Sequence, residues 1–175
     1  MELTPIMQKY ILHWGEMGTR WGVNRTVAQI HALLYLSPKP MHAEEIAETL
    51  SVARSNVSTS LKELQSWGLI KALHVMGDRR DHFESLSDLW EMFSVIIEER
   101  KRREIDPTLS MLRACTLEDE EDQTKPEIKQ RMHDMLAFME TISTWYEQMR
   151  HVPRNQLITL FKLGSKVTSF MGKKD

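Results

Sequence analysis

The chain is short of the residues that cross-link, break or anchor. Its one cysteine, Cys115, excludes an intrachain disulfide and fits a reducing compartment. Cys115 reads as a small buried hydrophobe on a helix, ahead of a redox sensor or an intermolecular bridge. Only 7 glycines and 6 prolines occur in 175 residues, so long helices and few loops are expected. No run approaches the ~18 apolar residues of a membrane span, so no membrane partner is expected. Met1-Glu2-Leu3-Thr4-Pro5 has no basic or apolar leader region, which makes the cytoplasm the expected location. There is no Gly-rich phosphate loop, no G-x-S-x-G and no H-E-x-x-H, so no enzyme is expected. The 7 histidines are scattered, and no tight His spacing marks a zinc site. His74 and His82 are the pair that a hairpin could bring face to face. Neither a metal nor a cofactor is expected.

What is present is an uneven charge. The net charge is −2, which rules out a global positive field. Residues 54–80 nevertheless carry Arg54, Lys62, Lys71, Arg79 and Arg80 against Glu63 and Asp78, a local net of +3. A basic patch on an acidic body suits local phosphate contact.

The apolar spacing lays out the elements. Thr4 caps a first helix with Pro5 in its first turn, and Ile6, Tyr10, Trp14, Met17 and Trp21 share one face. Gly22 ends it. Asn24 caps a second helix with inner residues Val27, Ile30, Leu33 and Leu34. A short helix over 43–50 follows, with Glu44 and Glu45 at the positive end of its dipole. After a tight turn at Ser51-Val52 comes a helix over 53–67, packed by Val57, Leu61 and Leu64 and closed by Gly68. Leu69–Val75 and Asp81–Leu86 read as two strands around the turn Met76–Arg80, with Phe83 as core anchor. Everything beyond Ser87 reads as helix, beginning with Leu89, Phe93 and Ile96. Pro107 is expected to kink or break this helix near residue 105. Glu118–Asp122 reads as a charged linker, and Thr124 with Glu127 as a capping box. Ile128, Met132, Met135, Met139, Ile142, Tyr146 and Met149 then form a heptad seam. Pro153 starts a last helix with Leu157, Leu160, Phe161, Gly164, Val167 and Met171 on one side.

Helix, turn, helix and hairpin in that order make a winged helix-turn-helix. Its second helix fits the major groove of double-stranded DNA. The free face of that helix offers Arg54, Ser55, Asn56, Ser58, Thr59 and Lys62. Asn pairs bidentately with adenine and Arg with guanine, while Ser and Thr reach bases or phosphates. Four Ser, Thr or Asn residues at positions 55–59 cost helix propensity, and DNA contact accounts for that cost. At the hairpin tip, Asp78, Arg79 and Arg80 form the second contact, with Asp78 and Asp81 placed to fix a guanidinium. The alternative is a winged-helix module that binds protein; it calls for an apolar recognition face without arginines, the opposite of what stands here. The run Arg100–Arg103 reads as a solvated face paired with Glu98, Glu99 and Glu104, ahead of a contact to flanking phosphates.

Residues 25–86 resemble the MarR-type winged-helix regulators, in particular their GbsR-like branch. The resemblance rests on Ala43–Ala47, Arg54–Ser58, Leu61–Leu64, Trp67–Ile70 and Gly77–Phe83. It extends to Trp90–Phe93, Glu99–Glu104 and Trp145–Glu147. It implies a repressor that is a homodimer on an operator, with helices from both ends of the chain at the interface. It carries the DNA role onto the recognition helix and the wing arginines. It also allows a small-molecule effector such as a quaternary ammonium osmolyte in an aromatic cage, but Trp14, Trp21, Tyr35, Trp67, Trp90, Trp145 and Tyr146 read as packing between the helices and the wing domain ahead of such a cage. Two positions depart from the family pattern: Ser51 stands where Gly is usual, and Ala53 where a capping Ser or Thr is usual.

The expected architecture is mainly α: an N-terminal dimerisation helix (1–23), a winged helix-turn-helix with a two-stranded wing (24–86) and a helical dimerisation region (87–175). The seam at 128–149 needs a partner, either a second copy, whose two-fold axis would read a palindrome, or the helix at 153–171.

Overall fold

The computed structural model describes residues 1–117 and 123–171, with 161 and 164–171 as backbone alone. The expected linker Glu118–Asp122 and the face formed by Phe161, Gly164, Val167 and Met171 lie outside what is described. The chain divides into two units, Met1–Ile97 and Glu98–Asp175. The architecture is mainly α with one small antiparallel sheet.

In the first unit, α1 (Pro5–Arg20) starts as its sequence dictates, with Thr4 Oγ1 accepting the Met7 N–H at 3.3 Å. Of the expected face, Tyr10, Trp14 and Met17 are half-buried, Tyr10 and Trp14 against the core. Ile11, Gly15 and Gly18 face inward, while Ile6 is 82% and Trp21 48% exposed. The reason is close approach to α2 (Arg25–Leu36). A Cβ on Gly18 would stand 2.5 Å from the Ala28 Cβ, and one on Gly15 2.7 Å from the Gln29 Cγ. At this crossing small residues serve better than large apolar ones, because they let the two helices close together. Asn24 Oδ1 caps α2 at 2.8 Å, and Val27, Ile30, Leu33 and Leu34 are all buried.

The core continues through α3 (Ala43–Leu50) and α4 (Arg54–Ser66), whose Ile46, Val57, Leu61 and Leu64 are buried with Leu33 and Met41. The chain passes between these helices through Ser51 in the left-handed conformation (φ 53°, ψ 42°). Gly68 (φ 75°) closes α4, and the Leu69 N–H returns to the Leu64 carbonyl at 3.0 Å. This is the glycine-ended helix stop that the sequence predicts.

The sheet has three strands rather than two, in the order β1 (Met41–His42), β3 (Asp81–Ser85), β2 (Ile70–His74). A two-residue strand is too short for any alternation to announce it. Its register sets Met41 against Phe83, on the core side, and His42 against His82. On the other edge Leu73 opposes His82 and His74 opposes Asp81, so His74 and His82 do not face each other. The first turns of α5 (Leu89–Arg100) bury Met92 and leave Leu89 and Phe93 exposed.

In the second unit, the helix deviates where Pro107 predicts. A π-helical turn at Lys101–Ile105 leads into α6 (Asp106–Thr116), with Pro107 in its first turn. The missing Pro107 N–H removes one bond of the continuous helical ladder, which the wider π turn just before it accommodates. Cys115 lies on α6 but is exposed, against the expectation of burial. α7 (Pro126–Arg150) starts after Lys125 with no side-chain cap, so the Thr124–Glu127 box is not its start. Pro126 takes the first helical position and moves the cap one residue on. α6 packs on α7 through Leu109 and Leu112, with Arg113 Nη2 2.9 Å from Glu140 Oε1. α8 (Arg154–Met171) follows. No described helix is long and apolar enough to cross a membrane.

Candidate nucleic-acid interface

α4 separates its residues by face. Val57, Ser60, Leu61 and Leu64 are buried, whereas Arg54, Ser55, Asn56, Thr59 and Lys62 are exposed and Ser58 is half-buried. Ala53 stands at the N-cap without a side-chain hydrogen bond, as its methyl group requires. Arg54 is nevertheless held. Its Nε donates to Glu44 Oε1 at 2.8 Å and its Nη1 to Ser58 Oγ at 2.6 Å. The Arg54 hydrogen bond holds the Glu44 carboxyl below the usual range, with His42 adding to the effect. Thr59 Oγ1 donates to the Ser55 carbonyl at 3.2 Å, within the helix.

The wing tip turns at Gly77 (φ 84°), where the Asp78 N–H meets the Val75 carbonyl at 3.0 Å. Asp78 fixes Arg80 on several sides. It accepts the Arg80 backbone N–H at 3.0 Å and the guanidinium Nε at 2.9 and 3.1 Å, and Nη2 donates to Oδ2. The Arg80 hydrogen bonds hold the Asp78 carboxyl far below the usual range. Asp81 does not share this task; its carboxylate is 3.5 Å from His74. Arg79 is exposed and makes no ion pair with other described residues.

Three residues at this site have no signal in spacing. His42, the N-cap of α3, accepts the Glu45 N–H on Nδ1 at 3.3 Å, while Glu45 Oε2 accepts the His42 backbone N–H at 3.2 Å. Glu44 reaches forward to Arg54. His82, buried on β3, lies 3.7 Å from Asp78. The face as a whole presents guanidinium, amide, hydroxyl and ammonium groups on one convex helix and one turn, the inventory that base edges and phosphates accept.

Residues 21–81 match the MarR family. A curated relative, the HTH-type transcriptional repressor GbsR of Bacillus subtilis (strain 168), is 21% identical over 137 residues, 74% of this chain and 75% of that protein. A solved structure described as a transcriptional regulator superposes with a TM-score of 0.64 at 21% identity, covering 83% of this chain and 95% of that one. The S. aureus MepR–DNA complex aligns at a TM-score of 0.38 and 18% identity, over 80% of this chain and 98% of that one. Residues 21–81 are thus similar to the MarR family, and the fold is that of a winged-helix transcriptional regulator.

The remaining expected residues lie on the helices beyond the wing. Of the seam on α7, Met132, Met139, Tyr146 and Met149 are half-buried, and Tyr146 donates its hydroxyl to Glu98 at 2.9 Å. Burial, with that carboxylate, pushes the phenol up to about 12. Ile128, Met135 and Ile142 are 46%, 53% and 42% exposed. They join Phe138 and Trp145, each 60% exposed, in a second apolar stripe with heptad spacing. The basic run is compensated rather than merely solvated. Arg100 pairs with Glu104 and Arg102 with Glu99, while Lys101, largely buried, sits between Asp106 and Glu147 at 2.7 and 3.2 Å. Glu98 serves Tyr146 and Arg150 instead.

Proposed function

We propose that this regulator binds double-stranded DNA in a sequence-specific manner, with the exposed face of α4 in the major groove and the Arg79–Arg80 tip on the flanking backbone or minor groove. The observation that carries this reading is the division of α4: an apolar face locked into the core, and a face of Arg, Ser, Asn, Thr and Lys turned to solvent. The protein acts as a homodimer on a palindromic operator, with half-sites roughly 34–36 Å apart. The second apolar stripe of α7 and the exposed Ile6, Leu12, Leu89 and Phe93 support this, being large apolar side chains that one chain leaves uncovered. Both ends of the chain would then contribute to dimerisation, 1–23 at one end and 87–175 at the other. The similarity to a protein named a repressor supports repression as the sign of control.

The test is a gel-shift titration with DNA from upstream of the protein's own gene against a scrambled duplex. Arg79→Ala with Arg80→Ala should weaken binding to every sequence, and Asn56→Ala should relax the preference between sequences. Unchanged binding by both variants would remove α4 and the wing as the contact surface. For the effector we favour a quaternary ammonium osmolyte. Trp14, stacked on Tyr10 with centroids 5.6 Å apart, and Trp90, edge-on to Phe93, are held ring to ring. Glycine betaine or choline added to the same titration should shift the binding midpoint, and a flat response would exclude them.

A further inference from the structure

Two arginines of the interface, Arg54 on α4 and Arg80 on the wing, belong to different elements and are separated by the whole of α4 and β2. Between them runs a continuous chain of side chains. Arg54 Nε donates to Glu44 Oε1 at 2.8 Å. The other oxygen of Glu44 lies 3.0 Å from His42 Nδ1. The His42 ring meets the His82 ring edge to face, with centroids 5.4 Å apart and planes at 87°. This contact follows from register, since His42 and His82 are direct partners on β1 and β3. His82 Nε2 lies 3.7 Å from Asp78 Oδ2, and its Nδ1 is 3.0 Å from the Arg80 carbonyl oxygen. Asp78 grips the Arg80 guanidinium. Both imidazoles are buried, at 9% and 8% exposure, whereas the arginines at the two ends are open to solvent. The two ends also act on each other through space, because Glu44 and Glu45 both help to hold the proton on Arg80.

A buried pair of polar rings in a small sheet is costly unless each ring is used. Here His42 has Glu44 at Nδ1 and Glu45 3.6 Å from Nε2, His82 has Asp78, and Glu44 and Asp78 each hold an arginine. Neither ring is needed to fill the apolar core, which lies on the Met41–Phe83 side of the same strands. We propose that His42 is a positioning residue that couples Arg54 to Arg80, through Glu44 on one side and through His82 and Asp78 on the other, so that the recognition helix and the wing meet their target in one fixed geometry. The inference rests on the reading of this surface as a DNA interface for its purpose, but the coupling itself is a property of the free protein.

The experiment uses the full chain and has one arm without DNA. The Arg54 Nε–H signal is assigned by its loss in Arg54→Lys. Asp78→Asn, at the far end of the chain of contacts, should shift that signal. His42→Asn keeps a side-chain acceptor for the cap of α3, since Asn is a favoured N-cap, but removes the ring. In that background Asp78→Asn should leave the Arg54 signal where it is. His82→Phe, which keeps the ring contact and loses the nitrogen facing Asp78, should block the effect as well. An Arg54 signal that ignores Asp78→Asn, or that follows it equally in the His42→Asn and His82→Phe backgrounds, overturns the proposal. In the second arm, Arg54→Ala and Arg80→Ala are combined on the upstream duplex. Their joint loss of affinity should differ from the product of the single losses by about threefold or more, and should equal that product in His42→Asn. Simple multiplication in the wild-type background also overturns it. If the wild type does not prefer the upstream duplex over the scrambled one, the DNA reading fails, and the signal of Arg54 alone decides whether the two arginines are coupled.

Discussion

Ser51 is the residue that carries the tight turn between α3 and α4, and it does so with a side chain in the left-handed region (φ 53°). An L-residue there pays about 1–2 kcal/mol in steric cost. Glycine would relieve most of it while losing more freedom on folding. Ser51→Gly is therefore expected to stabilise the chain by about 0.5–1 kcal/mol, raising Tm by about 2 °C in a calorimetric scan; a lower Tm would show that the serine side chain holds the turn. The turn was legible because both departures, Ser51 and Ala53, stand at positions where local chemistry has a firm preference. The grip on the arginines was only half legible. Asp78 and Arg80 lie two residues apart, within reach of inspection. Glu44 and Arg54 are ten apart on different helices, and His42 is not a residue type that capping preferences bring to mind.

At the scale of elements, apolar periodicity located the described helices but did not show all that each helix face touches. On α1 it selected Ile6, Tyr10, Trp14, Met17 and Trp21, of which Tyr10 and Trp14 rest on the core and Ile6 and Trp21 are open, whereas the close crossing with α2 is made by Gly15 and Gly18. Periodicity has no means of counting glycine as a contact residue. On α7 it found one seam where there are two, because Ile128, Met135 and Ile142 fit both spacings. The stripe they form with Phe138 and Trp145 is open in the single chain. Phe138→Glu combined with Trp145→Glu should convert the protein to a monomer in sedimentation experiments at micromolar concentration, with its helical circular dichroism retained. Carboxylates forced into such an interface cost several kcal/mol each unless paired. A dimer that survives the change would place the interface elsewhere.

For the molecule as a whole, acid sensitivity traces first to one buried imidazole. His31 is 4% exposed, with Nε2 3.3 Å from Ser85 Oγ, and burial lowers its pKa from 6.5 to about 4. The unfolded chain thus takes up a proton below pH 6.5 that the folded chain refuses until about pH 4. Stability falls across that window as pH falls, by about 3 kcal/mol at its lower end. His31→Leu should flatten the melting temperature between pH 6.5 and 4; an equally steep profile would assign the loss to other groups. The charged surface has a separate consequence, which concerns counterions. Affinity for a duplex falls with salt because each phosphate neutralised by a cation releases bound ions, at about 0.9 in the logarithmic slope per charge. Arg54 and Arg80 bring their own carboxylates with them. If those pairs persist on DNA, the complex sheds fewer ions than its basic residues would suggest. Glu44→Gln with Asp78→Asn should then steepen the slope by about one to two. If Arg54 and Arg80 read the duplex as proposed, keeping them internally neutralised makes recognition less dependent on the ionic strength around it.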